Sequence, residues 1–412
     1  MGLFSTFYIM KLASFQFSTL FAALTLILIV LVKGTIRIWK VNRCFLFFLF
    51  IVAISSVLNF FFPLHETYNF KVSLRAFLEY VILYFCAEQM LQLEKKEILY
   101  FLKGLRWSCI IHMLWSIAQF IAYRGFRIDI NDVILSNMLH FGNNEYGASR
   151  YEGGELVLSG LCWHPANLAP TLALAMLIFD KWGIWMVAFF IAFYSKNGTT
   201  MLVLVLLLAL RIIMIHSKKK MKWVVPPKSF MMFPIFLVVF IFVAFQLLPL
   251  IQEAVMNLAN RISTTSDSST QAHLRYYTAF PSIALSISWS ELLFGCGIGR
   301  SGAYISQIFH QYTRIVYWSV ESDPMNMVYS TGLFGFACYY LWMIIMVIRA
   351  WKKDKKCTVF LLAIMIGGIF YGIQFAWVMQ IELIIGVLLK RRESFFDLED
   401  SNKFLKVLFE SR

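Results

Sequence analysis

The sequence predicts an all-α, polytopic transmembrane helix bundle with about 11 spans (about 10–12), in which one large outer loop contains short interfacial helices. The chain has 412 residues, of which 60% are hydrophobic and only 15% charged, whereas soluble domains average about 45–50% apolar and about 25% charged residues. Apolar runs of about 17–25 residues recur along it. Basic residues cluster in the short gaps between these runs, as the positive-inside rule requires.

The apolar runs define the predicted spans, and their variable length leaves the count open by one or two. They are Leu12–Val32, Cys44–Pro63, Leu74–Leu91, Trp107–Tyr123, Pro165–Phe179, Gly183–Tyr194, Met201–Ile215, Phe230–Leu248, Met325–Ile348, Val359–Phe375 and Ala376–Leu389. The first run lacks a small-residue cleavage site, so it is interpreted as a retained helix and not a signal peptide. Residues 1–412 are thus predicted to form a single integral membrane domain.

The basic gaps set the predicted orientation, because all of them fall on one side, which the positive-inside rule makes cytoplasmic. They contain Lys33, Arg37, Lys40 and Arg43; Lys95, Lys96, Lys103 and Arg106; Lys218, Lys219, Lys220, Lys222 and Lys228; Arg349, Lys352, Lys353, Lys355 and Lys356; and Lys390, Arg391 and Arg392. The N-terminus is then outside, residues 390–412 form a cytoplasmic tail, and the long segments 124–164 and 249–323 are outer loops.

Other function classes are excluded by what the chain lacks. The net charge of +14 does not indicate nucleic acid as a partner, because the basic clusters have no interleaved aromatic residues and no nucleic-acid motif. The seven cysteines are scattered without a CxxC pair, so no metal site or disulfide framework is predicted. No nucleotide-binding loop is present, and no cofactor is predicted.

The outer loop 249–323 is the most polar part of the chain. Ser263–Thr270 (STTSDSST) predicts a flexible loop. Tyr276–Leu293 is mostly apolar but is interrupted by serines and Pro281, which favours an interfacial or re-entrant helix. Gly295–Gly299 (GCGIG) predicts a turn in which glycine permits positive φ and close backbone approach.

The outer loops carry many arginines: Arg124, Arg127, Arg150, Arg261, Arg275, Arg300 and Arg314. They either pair with acidic residues of the same loops or converge in part on an anionic ligand, and both interpretations stay open. Arginine suits phosphate because its planar fork gives bidentate, charge-assisted hydrogen bonds and keeps its proton. The outer face is therefore where chemistry or binding is expected.

Short motifs within residues 150–348 point to one family. Arg150 is followed by Gly160 and by Trp163-His164-Pro165-Ala166-Asn167, which leads into an apolar run. Tyr194–Thr199 (YSKNGT) lies between two apolar runs, Arg275 precedes Leu293–Arg300 (LFGCGIGR), and Glu321-Ser322-Asp323 precedes Thr331–Gly335 (TGLFG). In their order, spacing and placement these stretches resemble the bacterial O-antigen and capsular polysaccharide polymerases (Wzy-type) and the related O-antigen ligases.

Two departures from the family pattern matter. Lys196 stands near the place where the family usually has arginine. The ligases carry a His-Asn pair near the start of the helix after the large loop, whereas this chain reads Glu321-Ser322-Asp323-Pro324-Met325-Asn326 there. The absence of a histidine weakens the ligase interpretation and fits a polymerase better.

The resemblance implies a metal-independent glycosyltransferase of the bacterial plasma (inner) membrane. It would polymerise polyprenyl-pyrophosphate-linked oligosaccharide repeat units into O-antigen or capsular polysaccharide at the outer face, with membrane lipid around it. Asp323, Glu321 and Arg275 are the implied catalytic residues, with an acid accepting the proton of the attacking hydroxyl. Arg150, Arg300, Lys196 and His164 would bind the substrate and its pyrophosphate. A chain-length regulator protein is a further partner on which the sequence is silent, as it is on the sugars and their linkage.

Alternatives remain for single residues and for the whole chain. Asp323 before Pro324 is a good helix N-cap, and His164 is explained equally by an interfacial position. Arg75 and Glu79 are expected to pair across one helical turn, while Glu382 is either paired within the bundle or functional. The rival functions are an O-antigen ligase and a lipid-linked oligosaccharide flippase or transporter, although the chain lacks the internal repeat of many transporters. A membrane acyltransferase would require a histidine-led constellation, which His112 and His140 do not form.

Overall fold

The computed structural model of the chain is mostly helical. It describes residues 1–4, 11–12, 15–37, 41–61, 70–141, 149–152, 154–162, 164–216, 276–298, 320–373, 376–393 and 395–396. The α-helices within these ranges are α1 (Phe17–Lys33), α2 (Arg43–Phe61), α3 (Phe70–Gln89), α4 (Lys95–Phe126), α5 (Leu168–Phe179), α6 (Trp182–Tyr194), α7 (Gly198–Arg211), α8 (Phe280–Ser286), α9 (Trp289–Phe294), α10 (Asp323–Lys353), α11 (Lys355–Phe370) and α12 (Ala376–Arg391).

Shorter elements connect the helices. Gly2–Phe4, Met90–Gln92 and Pro165–Asn167 are 3₁₀-helical, while Asn131–Met138 and Ile212–His216 are π-helical. Two antiparallel hairpins pair β1 (Lys11–Leu12) with β2 (Phe15–Gln16), and β3 (Arg150–Glu152) with β4 (Glu155–Val157). The predicted outer loop 124–164 therefore contains a π-helical turn and a β-hairpin.

Apolar helices confirm that the chain is mostly helical and has helices of membrane-spanning type. Over the described residues, α2, α4 and α10 are long and apolar enough to cross a membrane. Phe17–Lys33, Pro165–Phe179, Trp182–Tyr194 and Gly198–Met214 are shorter apolar helices. The predicted span Phe230–Leu248 lies outside the described residues, and the number of about 11 spans stays a prediction.

Large apolar side chains cover the outside of the helices. Leu31 and Val32 on α1, Phe47 on α2 and Trp182 on α6 are each about two-thirds exposed or more. Water would penalise such a surface, whereas lipid tails are as apolar as these side chains. The exposed apolar surface is thus the side on which the helices meet lipid.

Two helices form the centre of the bundle. Every residue of α5 and every residue of α12 up to Leu389 is buried, as expected for helices that are surrounded by other helices. Glu382 on α12 is fully buried and accepts a hydrogen bond from the Tyr339 hydroxyl at 3.3 Å. Of the two alternatives for Glu382, the structure therefore shows the residue paired within the bundle.

Basic helix ends meet on one face of the bundle. Lys33 at the end of α1 lies 3.9 Å from Glu97 in the first turn of α4. Arg391 at the end of α12 donates to Leu93 O, just before α4, at 2.5 Å. Asp180, which follows α5, pairs with Arg211 and with Lys356 Nζ, the latter at 3.3 Å. The described basic gaps thus share one face, and the opposite face carries the hairpin β3–β4 and the start of α10.

Candidate active site

A break in α10 shapes the face opposite the basic helix ends. Gly332 lies inside α10 with φ 69° and ψ −176°, which interrupts the helix, although the sequence predicted an unbroken span. The glycine turn fills the break, because Cys296 N donates to Tyr329 O and Gly297 N to Ser330 O, each at 2.9 Å. The loop thereby satisfies carbonyls that the break would otherwise leave without partners inside a membrane.

The described part of the glycine turn, residues 295–298, is buried and anchored from two further helices. Asn59 Nδ2 on α2 donates to Gly295 O at 3.1 Å, and Ser73 Oγ on α3 donates to Ile298 O at 3.0 Å. The predicted positive φ is confirmed at Gly295 (73°) and Gly297 (94°). These contacts fix the position of α10 relative to α2 and α3, and so fix the start of α10.

The segment before this turn forms the short helices α8 and α9, where one interfacial or re-entrant helix was predicted. Leu285 is 90% exposed and Trp289 is 77% exposed. Because tryptophan is enriched where membrane meets water, these helices fit an interfacial position. The Ser288 and Glu291 side chains form a capping box that starts α9.

Asp323 is buried at the start of α10, with 4% of its surface exposed. The helix begins at Asp323 itself and Ser322 precedes it, so the predicted N-cap role of Asp323 is wrong by one residue. Its carboxylate accepts a hydrogen bond from Ile373 N at 3.1 Å instead, and a side chain on Gly368 would collide with Oδ2. Asp323 is thus held between the start of α10 and the link after α11.

Tyr277 binds the loop beside Asp323 to the end of α11. Its hydroxyl lies 2.6 Å from Ser322 Oγ and donates to Ile369 O at 2.7 Å. Because the phenol proton goes to the carbonyl, Ser322 is the donor of the other bond. Burial raises the pKa of Tyr277, the charge of Asp323 raises this pKa further, and the Ser322 bond opposes the shift. Tyr277 therefore stays protonated at neutral pH and acts as a fixed donor.

His164 lies at the start of the 3₁₀ turn Pro165–Asn167. Its Nδ1 accepts from Ala166 N at 3.2 Å, and its Nε2 faces both Arg150 and the Tyr371 hydroxyl, the latter at 3.1 Å. The His164 and Tyr371 rings stack, with centroids 4.8 Å apart. A neutral imidazole has one acceptor nitrogen, so the Ala166 amide and Arg150 compete for the ring's single lone pair. His164 is thus a half-buried ring that contacts both Arg150 and Tyr371.

One short link brings Asp323 and His164 together. Tyr371, which stacks on His164, and Ile373, whose amide binds Asp323, are two residues apart between α11 and α12. The sequence predicted a span to Phe375, but α11 ends at Phe370 and Tyr371 is extended. Gly367, Gly368 and Gly372 near this end permit close packing. This group of glycines is the feature of the sequence that could have indicated the helix end and the close approach of Asp323.

Buried polar side chains of α4 and of the π-helix Asn131–Met138 hold the segment that leads to His164. Leu161 N donates to His112 Nε2 at 3.2 Å, Gly160 N donates to Gln119 Oε1 at 3.1 Å, and Asn131 Nδ2 donates to Gly160 O at 2.9 Å. Because Nε2 accepts, the neutral His112 ring carries its proton on Nδ1. His112, which entered the sequence analysis only in the acyltransferase alternative, is thus a positioning residue.

The remaining predicted site residues fall in different places. Glu321 is half-buried next to Ser322, close to Asp323 in the chain. Lys196 lies in a turn next to the hairpin β3–β4. Arg275 and Arg300 lie outside the described residues. The structure thus brings together Asp323, His164 and Arg150.

The predicted pair Arg75–Glu79 is wrong. Among the described residues, no ion pair joins them; Glu79 accepts a hydrogen bond from Thr19 Oγ1 on α1 at 3.4 Å. The contact between α1 and α3 places a competing donor there, which a helical spacing cannot reveal.

Fold and site define a helical membrane protein with acidic, imidazole and guanidinium groups gathered on one face. Over the ranges described, no group of three His, Cys, Asp or Glu side chains is placed to hold a metal ion. Comparison with protein-family models gives no match, and neither does comparison with curated proteins.

Proposed function

We propose that this chain polymerises polyprenyl-pyrophosphate-linked oligosaccharide units into O-antigen or capsular polysaccharide at the outer face of a bacterial plasma membrane. The observation that carries the proposal is the link Tyr371–Ile373, which joins Asp323 and the His164–Arg150 pair in one site. The motif resemblance involves the same three residues, although they are far apart in the sequence.

The chemistry assigns a role to each group. A hydroxyl oxygen of the acceptor sugar attacks the anomeric carbon of the donor, the bond from that carbon to the pyrophosphate oxygen breaks, and its electron pair leaves with the pyrophosphate. The Asp323 carboxylate takes the hydroxyl proton, with Glu321 as the other candidate. General-base catalysis of this kind contributes about 10²–10⁴-fold. The charge that develops on the leaving group is stabilised by Arg150 and, in the proposal, by Arg275 and Arg300.

His164 and Tyr371 position these groups. The stacked rings hold the imidazole against Arg150, so that the guanidinium is directed by a rigid neighbour. Preorganised charge costs no rearrangement when the reaction occurs. The lipid-facing helices around the site would allow a polyprenyl chain to remain in the bilayer while its pyrophosphate reaches this face.

A transporter or flippase is the alternative that one observation favours, since discontinuous helices often form transport sites and α10 is broken at Gly332. The carbonyls of Tyr329 and Ser330 at the break are, however, occupied by the amides of the glycine turn. Because these carbonyls already have partners, the break in α10 has a structural role, which favours the enzyme over the transporter. An O-antigen ligase shares the chemistry and differs only in its acceptor.

The test is a gene deletion complemented with wild type, Asp323→Asn or Arg150→Ala, with surface glycan separated by size on a gel. Polymerase activity predicts single repeat units in the deletion strain, a ladder with wild type, and loss of the ladder with Asp323→Asn at normal protein level. Asp132→Asn changes an exposed acid on the same face and serves as the matched control. Long glycan left on its lipid carrier would indicate a ligase, and a ladder that persists in the deletion strain would refute both.

A further inference from the structure

A second feature of the same face is a cleft between the end of α4, the hairpin β3–β4 and the end of α6. It is lined by Phe120, Tyr123, Arg124, Tyr194 and Lys196, together with hairpin leucines; we call it the aromatic–cationic cleft. The residues that line it are different from those that contact Asp323 and His164 through the link after α11. We therefore describe the cleft as a second feature beside the candidate active site.

The aromatic part of the cleft offers flat, half-buried rings. Phe120 and Tyr194 lie with ring centroids 4.5 Å apart, and Tyr123 is fixed by a hydrogen bond from its hydroxyl to Gly154 O at 3.2 Å. The Arg127 guanidinium lies over the Tyr123 ring, 5.3 Å from its centroid, and the exposed parts of these half-buried rings lie next to polar groups. Sugar rings match such a surface, because they present C–H faces to aromatic rings and hydroxyls to nearby polar atoms.

The charges of the cleft are not balanced. Glu155 pairs with both Arg124, at 3.1 Å, and Arg127, at 3.6 Å, so that one carboxylate faces two guanidinium groups. Lys196 is exposed, and its ammonium has no hydrogen-bond or ion-pair partner in the part of the chain that the structure describes. The excess positive charge fits a ligand with an anionic group.

The backbone of Lys196 is left-handed. Lys196 follows the end of α6 with φ 49°, a position that favours glycine or asparagine. Other charged residues take this conformation after a helix: Arg127 and Asp180 are ion-paired, whereas Arg392 after α12 is exposed like Lys196. A replacement for Lys196 must therefore tolerate a positive φ.

The hairpin connects the cleft to the candidate active site. Leu156 on β4 lines the cleft, while Arg150, on the paired strand β3, contacts His164. Thr200 Oγ1 on α7, four residues after Lys196, donates to Pro165 O at 3.0 Å. A chain of sugars that reacts beside His164 would thus meet the cleft on the other side of the same small hairpin.

We propose that the aromatic–cationic cleft holds the growing anionic glycan behind its reacting end, with sugar rings on Tyr123 and Tyr194 and an anionic group at Lys196. This rests on the proposed function, and it assigns Lys196 to retention of the polymer and not to the departing pyrophosphate. Retention keeps the product in place between successive transfers, so it controls the number of repeats in each chain.

The experiment uses the complemented deletion strain and compares the length distribution of the surface glycan. Lys196→Asn removes the charge but keeps a residue that tolerates the left-handed backbone, and Tyr194→Leu removes the ring. Both are expected to shift the ladder to shorter chains by about twofold or more, because faster release ends each chain earlier. Lys196→Arg and Tyr194→Phe should restore the length, and Lys181→Ala, an exposed lysine at the other end of α6, should not change it.

The outcomes separate this inference from the proposed function. A ladder that depends on the gene but keeps its length in Lys196→Asn and Tyr194→Leu refutes retention and leaves the polymerase proposal standing. Complete loss of polymer in Lys196→Asn at normal protein level refutes it as well, since Lys196 would then belong to the reacting centre. A ladder that does not depend on the gene refutes the proposed function itself.

Discussion

The backbones of Gly295 and Gly332 are in close contact, and a Cβ atom added to Gly295 would come within 2.5 Å of Gly332 N. Both have positive φ, 73° and 69°. The glycine turn and the broken α10 can approach this closely only because neither residue has a side chain. This contact sets where α10 starts, and with it the position of Asp323.

Substitution of either glycine is therefore expected to destabilise the protein. In Gly332→Ala the backbone conformation alone costs about 1–3 kcal/mol, and the methyl group would also collide with the backbone of Leu293. The measurement is the unfolding temperature of the detergent-purified protein, followed by size-exclusion chromatography after heating. Gly125→Ala, inside α4 at a position with nothing within 4 Å of an added Cβ, should not lower the midpoint, because alanine is favoured over glycine in a helix. An equal midpoint for Gly332→Ala and wild type would contradict the tight contact.

The stacked pair of His164 and Tyr371 gives a second prediction. Tyr371→Phe keeps the ring and loses the hydroxyl that lies 3.1 Å from His164 Nε2, so polymer formation should fall by about 2–10-fold, the equivalent of one hydrogen bond. Tyr371→Ala also removes the stacked ring, so polymer formation should fall further in this variant. The amount of surface polymer at equal protein level is the measure. Equal polymer in Tyr371→Ala and wild type would remove Tyr371 from the site.

Sequence reasoning located most helices and the residues on both sides of the site, because apolar runs and basic gaps follow directly from the solvent that each helix meets. It missed Tyr371 because Gln374 is the only strongly polar residue of the run Val359–Phe375 and lies beyond the helix end. It missed the break at Gly332 because a single glycine inside a helical pattern also occurs in unbroken helices. Both positions depend on packing between distant segments, as the contacts with Asp323 and Gly295 show.

The charged cluster at the basic face gives a third prediction. Asp180 is the shared partner of Arg211 and Lys356, so Asp180→Asn leaves two cations close together in a partly buried place. A loss of about 1–3 kcal/mol in stability is expected, less than for a fully buried pair because solvent still reaches Asp180. The double variant Asp180→Asn/Lys356→Met should recover part of the loss, measured again by the unfolding temperature. No difference between the double and single variants would show that Lys356 is not coupled to Asp180.

The orientation of the bundle gives the last prediction, since Lys181 and Lys196 lie at opposite ends of α6 and are both exposed. The positive-inside rule places Lys181 with the basic gaps in the cytoplasm and Lys196 outside. In a variant without native cysteines, a membrane-impermeant maleimide applied to spheroplasts should label Lys196→Cys, and it should label Lys181→Cys only after the membrane is permeabilised. The reverse pattern would place Asp323 and His164 on the cytoplasmic side, where an outer-face polymerase could not use them, because its lipid-linked substrate is presented on the other side of the bilayer.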